Sequence, residues 1–326
     1  MSKQGRIFSG MRPTQRLTLG NYKGALENWV RLQDDYECFY CVVDWHALTT
    51  GYQETADLRQ NIRGMVIDWL AAGIDPGKSV VFVQSHVKEH AELHLLFSMI
   101  TPLGWVERVP TYKEQLRQLE EREINTYGFL GYPVLQAADI VGYKAGFVPV
   151  GEDQLPHLEL CREIVRRFNF LYHTALPEPR ALLSKVPMLP GIDGRKMSKS
   201  YGNAIWLSAS AEEVQSQVQQ AITDPAKIRK NDPGHPEVCN IFTFHRVFST
   251  GVADVEERCR AGSLGCVACK RDLAGKLNLA MEPMRERRAR LESRPGLVDE
   301  VIEDGRERAH RVIARTMEEV RAAVGI

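Results

Sequence analysis

Short apolar runs alternate with amphipathic segments through the first half of the chain. Runs typical of strands occur at residues 6–9, 38–43 and 79–84, and residues 22–33 and 56–72 between them show helical periodicity. Strands and helices in regular alternation predict an α/β fold with a doubly wound parallel sheet. The first half of the chain is therefore expected to form a Rossmann-like domain.

The loops that follow the predicted strands are the expected ligand site, because such sheets bind ligands beyond the carboxyl ends of their strands. Gly10, Asp44 and Gly151 lie in these loops. The chain contains neither a Walker-type GxxxxGK loop nor a GxGxxG loop. Phosphates would have to be bound by some other segment.

From about residue 190 onward the pattern is helical, rich in arginine and glutamate. Apolar residues recur at helical spacing from Val298 to Val324, which predicts an amphipathic helix there. We predict a catalytic domain at 1–189 and a smaller all-helical domain at 190–309. A final helix at about 310–326 is expected to pack back on the first domain.

Charge and targeting signals narrow the class of protein only slightly. Lysine plus arginine equals aspartate plus glutamate, at 42 each, so net charge gives no sign of a nucleic-acid partner. Arginines nevertheless concentrate at 285–294 and 306–315. Two interpretations stay open for them, a solvated helix face and an RNA-facing stripe. No signal peptide or 18-residue apolar run is present, which predicts a cytoplasmic protein without a membrane partner.

Two segments carry candidate phosphate chemistry. Residues 8–21 predict a strand that breaks at Gly10 and Pro13 and resumes as a helix near Asn21, where Gly20 permits close approach of a ligand. Residues 196–200 spell Lys-Met-Ser-Lys-Ser between glycines. Lysine on a mobile loop suits a migrating pyrophosphate, because it is a point charge on a flexible stem.

These segments resemble the class I aminoacyl-tRNA synthetases, and in particular the bacterial tryptophanyl branch. Residues 196–200 are the KMSKS signature, and 18–21 look like that branch's variant of HIGH. Residues 44–49, 132–140 and 148–154 resemble the same branch in order and spacing. The resemblance covers essentially the whole chain. It implies a Rossmann-like, HUP-type catalytic domain, tryptophan, ATP with Mg²⁺ and tRNA(Trp) as partners, a homodimer, and no DNA.

The resemblance also implies roles for individual residues. Those expected at ATP are Arg12, Pro13, Thr14, Gly20, Asn21, Gly151, Glu152, Asp153, Lys196, Met197, Ser198, Lys199 and Ser200. The catalytic set is Thr18, Asn21, Lys113, Lys196 and Lys199. The tryptophan pocket is expected to contain Phe8, Gly10, His46, Tyr132, Gln136, Asp139, Val148, Val150 and Gln154. Asp139 would accept the indole N–H, a donor that tyrosine and phenylalanine lack at that place.

The chain departs from the family pattern at three glutamines. Gln15 replaces a common glycine, Gln115 replaces a frequent lysine, and Gln136 occupies a pocket position that is methionine in some relatives. Each departure puts the affinity for ATP or tryptophan in question, although none removes a defining group.

Four cysteines form a candidate metal site. Cys239, Cys259, Cys266 and Cys269 fall in one polar region, and four thiolates suit either zinc or a 4Fe-4S cluster. Only one short Cys-x2-Cys pair is present, and a subset of bacterial tryptophanyl synthetases resembles this pattern and carries 4Fe-4S. The cluster is therefore favoured, with zinc as the alternative.

Three rival functions stay open on the sequence. A tyrosyl-tRNA synthetase shares the fold, and Asp139 argues against it. A synthetase-like redox regulator would have a dormant catalytic core, which the intact KMSKS segment opposes. A nucleotidyltransferase would leave the arginine-rich helices unexplained.

Overall fold

A five-stranded parallel sheet forms the centre of the molecule, with strand order β3-β2-β1-β4-β5. The structure is a computed structural model that describes residues 3–110, 124–183, 189–198 and 201–326. The strands are β1 Arg6–Met11, β2 Glu37–Val42, β3 Ser79–Val83, β4 Phe147–Val150 and β5 Arg180–Leu183. The predicted α/β fold with a parallel sheet is confirmed.

The chain changes direction across the sheet between β1 and β4. It builds β1, β2 and β3 outward to one edge, then returns to place β4 and β5 on the other side of β1. The carboxyl ends of β1 and β4 therefore flank a topological switch point, where open α/β sheets bind ligands. The prediction that β1 breaks at Gly10 is wrong, because parallel pairing continues from Gly10 with Cys41 to Met11 with Val42.

Helices cover both faces of the sheet and form the second half of the chain. In the first half of the chain, α1 Leu19–Asn21 continues through the π-helical turn Tyr22–Leu26 into α2 Glu27–Asp35. The other helices of this half are α3 Asp44–Gly51, α4 Leu58–Ala72, α5 Glu89–Ile100, α6 Leu103–Glu107, α7 Tyr127–Gly142 and α8 Leu155–Tyr172. The later helices are α9 Ala211–Gln220, α10 Asn240–Phe248, α11 Val252–Arg260, α12 Cys266–Glu292 and α13 Pro295–Val324. After β5 the described residues contain no further strand. Within the described ranges, no helix is both long and apolar enough to cross a membrane.

The last helix returns to the sheet. Ala309, Ile313, Met317 and Val320 of α13 are buried in the same apolar cluster as residues of β2, β3, α5 and α7. Gly305 is the point of closest approach, since a Cβ there would stand 1.7 Å from the carbonyl oxygen of Val81 in β3. Glycine is thus required for α13 to pack against the backbone of β3.

Gly305→Ala should lower the free energy of unfolding by about 1–3 kcal/mol or more, because the added methyl group overlaps backbone that cannot rotate away. Gly275→Ala is the matched control, since Gly275 lies exposed inside α12 with nothing within 4 Å of its Cβ position. Alanine there should stabilise by about 0.5–1 kcal/mol through helix propensity. Thermal and urea unfolding of both variants measure the difference, and equal effects would contradict the close contact.

Candidate active site

A cavity of about 330 Å³ opens at the switch point between β1 and β4. Its walls come from the ends of these two strands, the π-helical turn before α2, and helices α3 and α7. The structure brings together in this cavity all the residues predicted for the tryptophan pocket, namely Phe8, Gly10, His46, Tyr132, Gln136, Asp139, Val148, Val150 and Gln154. Arg12 and Gly151, predicted at ATP, line the same cavity.

Asp139 is the buried acceptor of the cavity, with 1% of its surface exposed. His46 Nε2 lies 3.0 Å from Oδ2, His90 Nδ1 lies 2.6 Å from Oδ1, and Gln84 Nε2 is 2.8 Å from both oxygens. An ionised carboxylate only accepts hydrogen bonds, so both histidine nitrogens must carry the proton at these contacts. Asp139 lies within α7 and does not cap the start of that helix, whose N-cap is Thr126.

Two opposing effects set the pKa of Asp139. Burial by itself raises the pKa, but the charge of His90 and the hydrogen bonds from His46 and His90 outweigh burial and lower the pKa to about 2. The carboxyl group is therefore ionised throughout the physiological range. It presents a fixed negative charge and full acceptor capacity at the base of the cavity.

A second polar contact lies on another wall of the cavity. The Tyr132 hydroxyl lies 2.6 Å from His157 Nε2, and both side chains line the cavity. Burial lowers the pKa of His157 to about 4, so the imidazole is neutral at pH 7. Its Nε2 can then accept the hydrogen bond of the tyrosine hydroxyl, which holds the Tyr132 ring against the cavity.

The segment that resembles HIGH is held by its own side chains. Thr18 is the N-cap of α1, and its Oγ1 accepts from the backbone N–H of Asn21 at 3.1 Å while Asn21 Oδ1 accepts from the Thr18 N–H at 2.9 Å. This reciprocal capping box begins the helix at Leu19, two residues before the predicted start. Thr18 is 4% exposed, so its hydroxyl serves the cap in this structure.

The two signature segments meet directly. Gly20 faces Met197, and a Cβ on Gly20 would lie 3.3 Å from the Met197 sulfur. Backbone hydrogen bonds from Leu19 N–H to Ile205 and from Leu207 N–H to Leu17, each 2.8 Å, join the same regions. The structure therefore places Lys196, Met197 and Ser198 beside the helix that starts at Thr18.

The Asn203 side chain holds the KMSKS segment in place through hydrogen bonds. Its Oδ1 accepts from the Ser198 N–H at 2.8 Å, and its Nδ2 donates to Asp193 at 2.7 Å and to the Lys196 carbonyl at 3.2 Å. A Cβ on Gly191 would lie 2.3 Å from the Asn203 side chain, so glycine is needed there. The predicted site residues Lys113, Lys199 and Ser200, and the departure Gln115, lie outside the described residues.

The backbone conformation at Gln15 explains why glycine is common at this position in the family pattern. Its φ angle is +114°, in a region that favours glycine and is strained for a residue with a Cβ. Backbone strain of this kind costs about 1–3 kcal/mol and is concentrated at functional loops. The departure from the family pattern therefore stores strain in the loop that follows β1.

Comparison with known proteins agrees with this geometry. Residues 2–282 match the family described as tRNA synthetases class I (W and Y). A tryptophan–tRNA ligase of Thermotoga maritima is 53% identical, with 98% of this chain and 99% of the relative aligned. The chain belongs to the class I tRNA synthetases for tryptophan and tyrosine.

Further relatives lie within the tryptophan branch of the family. A tryptophan–tRNA ligase of Aquifex aeolicus is 48% identical, and the alignment covers 98% of this chain and 100% of the relative. The structure of a Campylobacter jejuni tryptophanyl-tRNA synthetase, complexed with ADP and tryptophan, superimposes with a TM-score of 0.88 at 32% identity. It covers 98% of this chain and 100% of that one.

The sequence did not indicate several residues that line this synthetase cavity. Gly24, Ala25, Asn28 and Trp29 enter it from the π-helical turn and α2. A π-helical turn rotates the residues that follow it relative to a regular α-helix, and such turns are frequent at functional sites. Helical periodicity alone cannot reveal that change of face.

The four cysteines lie close together in the helical half of the synthetase. All four are free thiols, and burial together with the charges of Cys239, Cys259 and Cys266 raises the pKa of Cys269 to about 12. Cys239 is the N-cap of α10 and Cys266 the first residue of α12. Among the described residues, no group of three or more His, Cys, Asp or Glu is arranged to hold a metal ion. The predicted metal site is therefore not confirmed.

Some arginines of the arginine-rich helices bind other parts of the protein, a role that the sequence did not predict. Arg285 donates to the Ala209 carbonyl at 2.9 Å, Arg287 donates to the Ala71 carbonyl at 2.5 Å, and Arg288 pairs with Asp68. These three half-buried side chains join α12 to α4 and to the backbone just before α9, so they are not free to contact RNA. Both interpretations stay open for the exposed arginines of these segments, Arg290, Arg294, Arg311 and Arg315.

Proposed function

We propose that this protein is a tryptophan–tRNA ligase that activates L-tryptophan with ATP and transfers it to the terminal ribose of tRNA(Trp). The observation that supports this most strongly is the buried, ionised Asp139 among the residues that line the cavity. An indole N–H is donor-only and can form a charge-assisted hydrogen bond to this carboxylate, which an aromatic ring without that donor cannot form. The high identity to tryptophan–tRNA ligases over the full chain supports the same substrate.

The ATP site is proposed beside the tryptophan cavity. Arg12, Pro13, Thr14, Gly20 and Asn21 would bind ATP from one side, and Gly151, Glu152 and Asp153 from the other. Lys196, Met197 and Ser198, together with Lys113, Lys199 and Ser200, would contact the phosphates. Met197 and Gly20 already touch, which supports this common site. Mg²⁺ bound with ATP would neutralise phosphate charge.

The chemistry proposed for this site needs no protein nucleophile. A carboxylate oxygen of tryptophan attacks the α-phosphorus of ATP, and the bond to pyrophosphate breaks as the adenylate forms. The 2′-hydroxyl of the terminal tRNA ribose then attacks the tryptophanyl carbonyl, and AMP leaves. Lysines near the phosphates stabilise the developing charge, while the cavity holds the amino acid in position for attack.

Asp139→Ala should raise the KM for tryptophan about 10- to 100-fold in ATP–pyrophosphate exchange, since it removes a charge-assisted hydrogen bond. Wild-type protein is expected to exchange with tryptophan and not with tyrosine. Gln136→Met is the control, because it replaces a residue lining the same cavity and leaves the carboxylate intact. Exchange with tyrosine instead of tryptophan would establish the tyrosyl interpretation, and no exchange at all would favour a dormant regulator.

We further propose that Cys239, Cys259, Cys266 and Cys269 bind a 4Fe-4S cluster, with zinc as the alternative. Their electrostatic contacts show mutual proximity, and two of them stand at helix N-termini, which favour negatively charged thiolates. The site lies in the proposed anticodon-binding domain at 190–309, so a structural or RNA-binding role is proposed for it.

Protein purified without oxygen should contain about four iron and four sulfide per chain and show a visible absorption band. Cys266→Ser should abolish both, because a four-thiolate site loses one of its ligands. Cys161→Ser is the control, since Cys161 is buried in α8 within the catalytic half. Stoichiometric zinc without iron would establish the alternative, and neither metal would exclude both.

The family resemblance also leads us to propose a homodimer. Leu95 and Met99 are exposed one turn apart on α5, and Leu103 and Tyr127 are exposed at the starts of α6 and α7. Both α5 and α6 contact α7, so these exposed side chains belong to neighbouring helices. An exposed apolar patch of this kind is typical of a protein interface.

Met99→Glu should shift the protein to a monomer in sedimentation velocity, because it places a charge in the middle of the proposed interface. Leu279→Glu alters an equally exposed apolar side chain on α12 and should leave the assembly unchanged. A wild-type monomer at micromolar concentration would contradict the proposal.

A further inference from the structure

Behind Asp139 lies a buried polar chain that does not line the cavity. His90 is fully buried, and both of its ring nitrogens have partners, Asp139 at 2.6 Å through Nδ1 and the Tyr143 hydroxyl at 2.8 Å through Nε2. Neither His90 nor Tyr143 is among the residues that line the cavity. Their polar groups reach a bound ligand through Asp139, and the Tyr143 ring also packs against Phe8 in the cavity wall.

The direction of the protons along this chain follows from the acceptor at its end. The carboxylate only accepts, so His90 Nδ1 donates to it. A neutral imidazole accepts at Nε2 from the Tyr143 O–H, and a charged imidazole donates there to the Tyr143 oxygen. Burial raises the pKa of Tyr143 well above its usual value, so the phenol retains its proton. In both forms Nδ1 of His90 donates to Asp139, and the Tyr143 hydroxyl holds the ring in that orientation.

The chain is held in place by aromatic packing. The Tyr143 ring lies 5.5 Å from Phe8, 4.8 Å from Phe39 and 5.4 Å from Phe82, measured between centroids. All three phenylalanines are buried. The side chains therefore have little room to take other rotamers, and the hydroxyl stays directed at His90.

Gln84 fixes the same carboxylate from a different element. Its Oε1 accepts from the Trp45 N–H at 3.1 Å, which directs its amide nitrogen toward Asp139. Each carboxylate oxygen therefore has two donor contacts, Oδ1 from His90 and Gln84 and Oδ2 from His46 and Gln84. Neither His90 nor Gln84 lines the cavity, whereas His46 does. The contact from His46 to Oδ2 is thus the one that an indole N–H in the cavity would share or replace.

We propose that His90 and Tyr143 are positioning residues for tryptophan recognition, which orient the Asp139 carboxylate so that the oxygen contacted by His46, a cavity residue, meets the indole N–H. This inference rests on the proposed function. It assigns to His90 and Tyr143 a contribution to the choice between substrates, in addition to the stability that any buried hydrogen bond supplies. Substrates with and without the N–H donor separate these two contributions.

The experiment compares tryptophan with 3-benzothienylalanine, in which sulfur replaces the indole N–H. The kcat/KM ratio for the two substrates is measured in ATP–pyrophosphate exchange. His90→Leu should lower the preference for tryptophan roughly tenfold or more, mainly through KM for tryptophan, because the carboxylate loses its orienting donor. Tyr143→Phe keeps the stacked ring and should lower the preference by about threefold, since it removes only the hydroxyl that holds the His90 ring in orientation.

Two further variants distinguish positioning from stability. His90→Asn carries an amide N–H near the position of Nδ1 and should restore most of the preference. Phe168→Leu disturbs the same buried apolar cluster through its packing on Phe97 and Tyr172, so it should lower the melting temperature and leave the preference unchanged. Each variant's melting temperature is recorded without substrate.

Equal losses for both substrates in His90→Leu and Tyr143→Phe would overturn the proposal and leave these residues a purely structural role. If His90→Leu fails to fold, Tyr143→Phe and His90→Asn decide the question by the same ratio. Wild-type protein that does not exchange with tryptophan would overturn the proposed function itself. Wild-type exchange with an unchanged ratio in every variant would overturn only the positioning role.

Discussion

A carboxylate that is 1% exposed remains ionised at Asp139 because donors from three elements converge on it. His46 comes from α3, His90 from α5, and Gln84 from the turn after β3, while Asp139 itself lies in α7. A buried charge without such partners would cost several kcal/mol. The convergence therefore fixes these elements relative to one another around the switch point of the sheet, and the shape of the cavity depends on that arrangement.

The nucleotide segments depend on the same frame through backbone contacts. The strand order places the end of β1 at the cavity, and the chain then forms the capped helix at Thr18. Leu17 and Leu19 exchange hydrogen bonds with Leu207 and Ile205, which follow the KMSKS segment in the chain. A segment more than 180 residues distant in sequence is thus held beside the helix that starts at Leu19, through main-chain hydrogen bonds that do not depend on side-chain identity.

Some features of the structure depend on local sequence pattern and others on tertiary contacts, and only the first kind could be predicted from the sequence. The three strands β1 to β3 were predictable because apolar runs between amphipathic segments record burial on both faces. β4 and β5 were not, since four residues with a proline at Pro149 carry too little periodicity. The resemblance indicated Asp139 and His46, because their types and spacing match a family motif. His90, Gln84 and Tyr143 act through tertiary contacts, and nothing in local spacing marks them.

A buried ion pair that the sequence did not indicate links the two halves of the protein. Asp68 in α4 accepts the Leu17 N–H at 3.4 Å and pairs with Arg288 of α12, so one buried carboxylate contacts both the nucleotide segment and the helical half. Burial raises the pKa of Asp68 to about 6, although the charge of Arg288 opposes the rise. This pKa is above that of an aspartate in the unfolded chain. Raising the pH from about 4 to 6 therefore lowers the free energy of unfolding, because the folded state holds this proton more tightly. The ion pair thus offsets only part of the cost of burial. Its contribution is to fix which face of α12 meets α4, which in turn positions the helical half beside the segment that begins at Leu17.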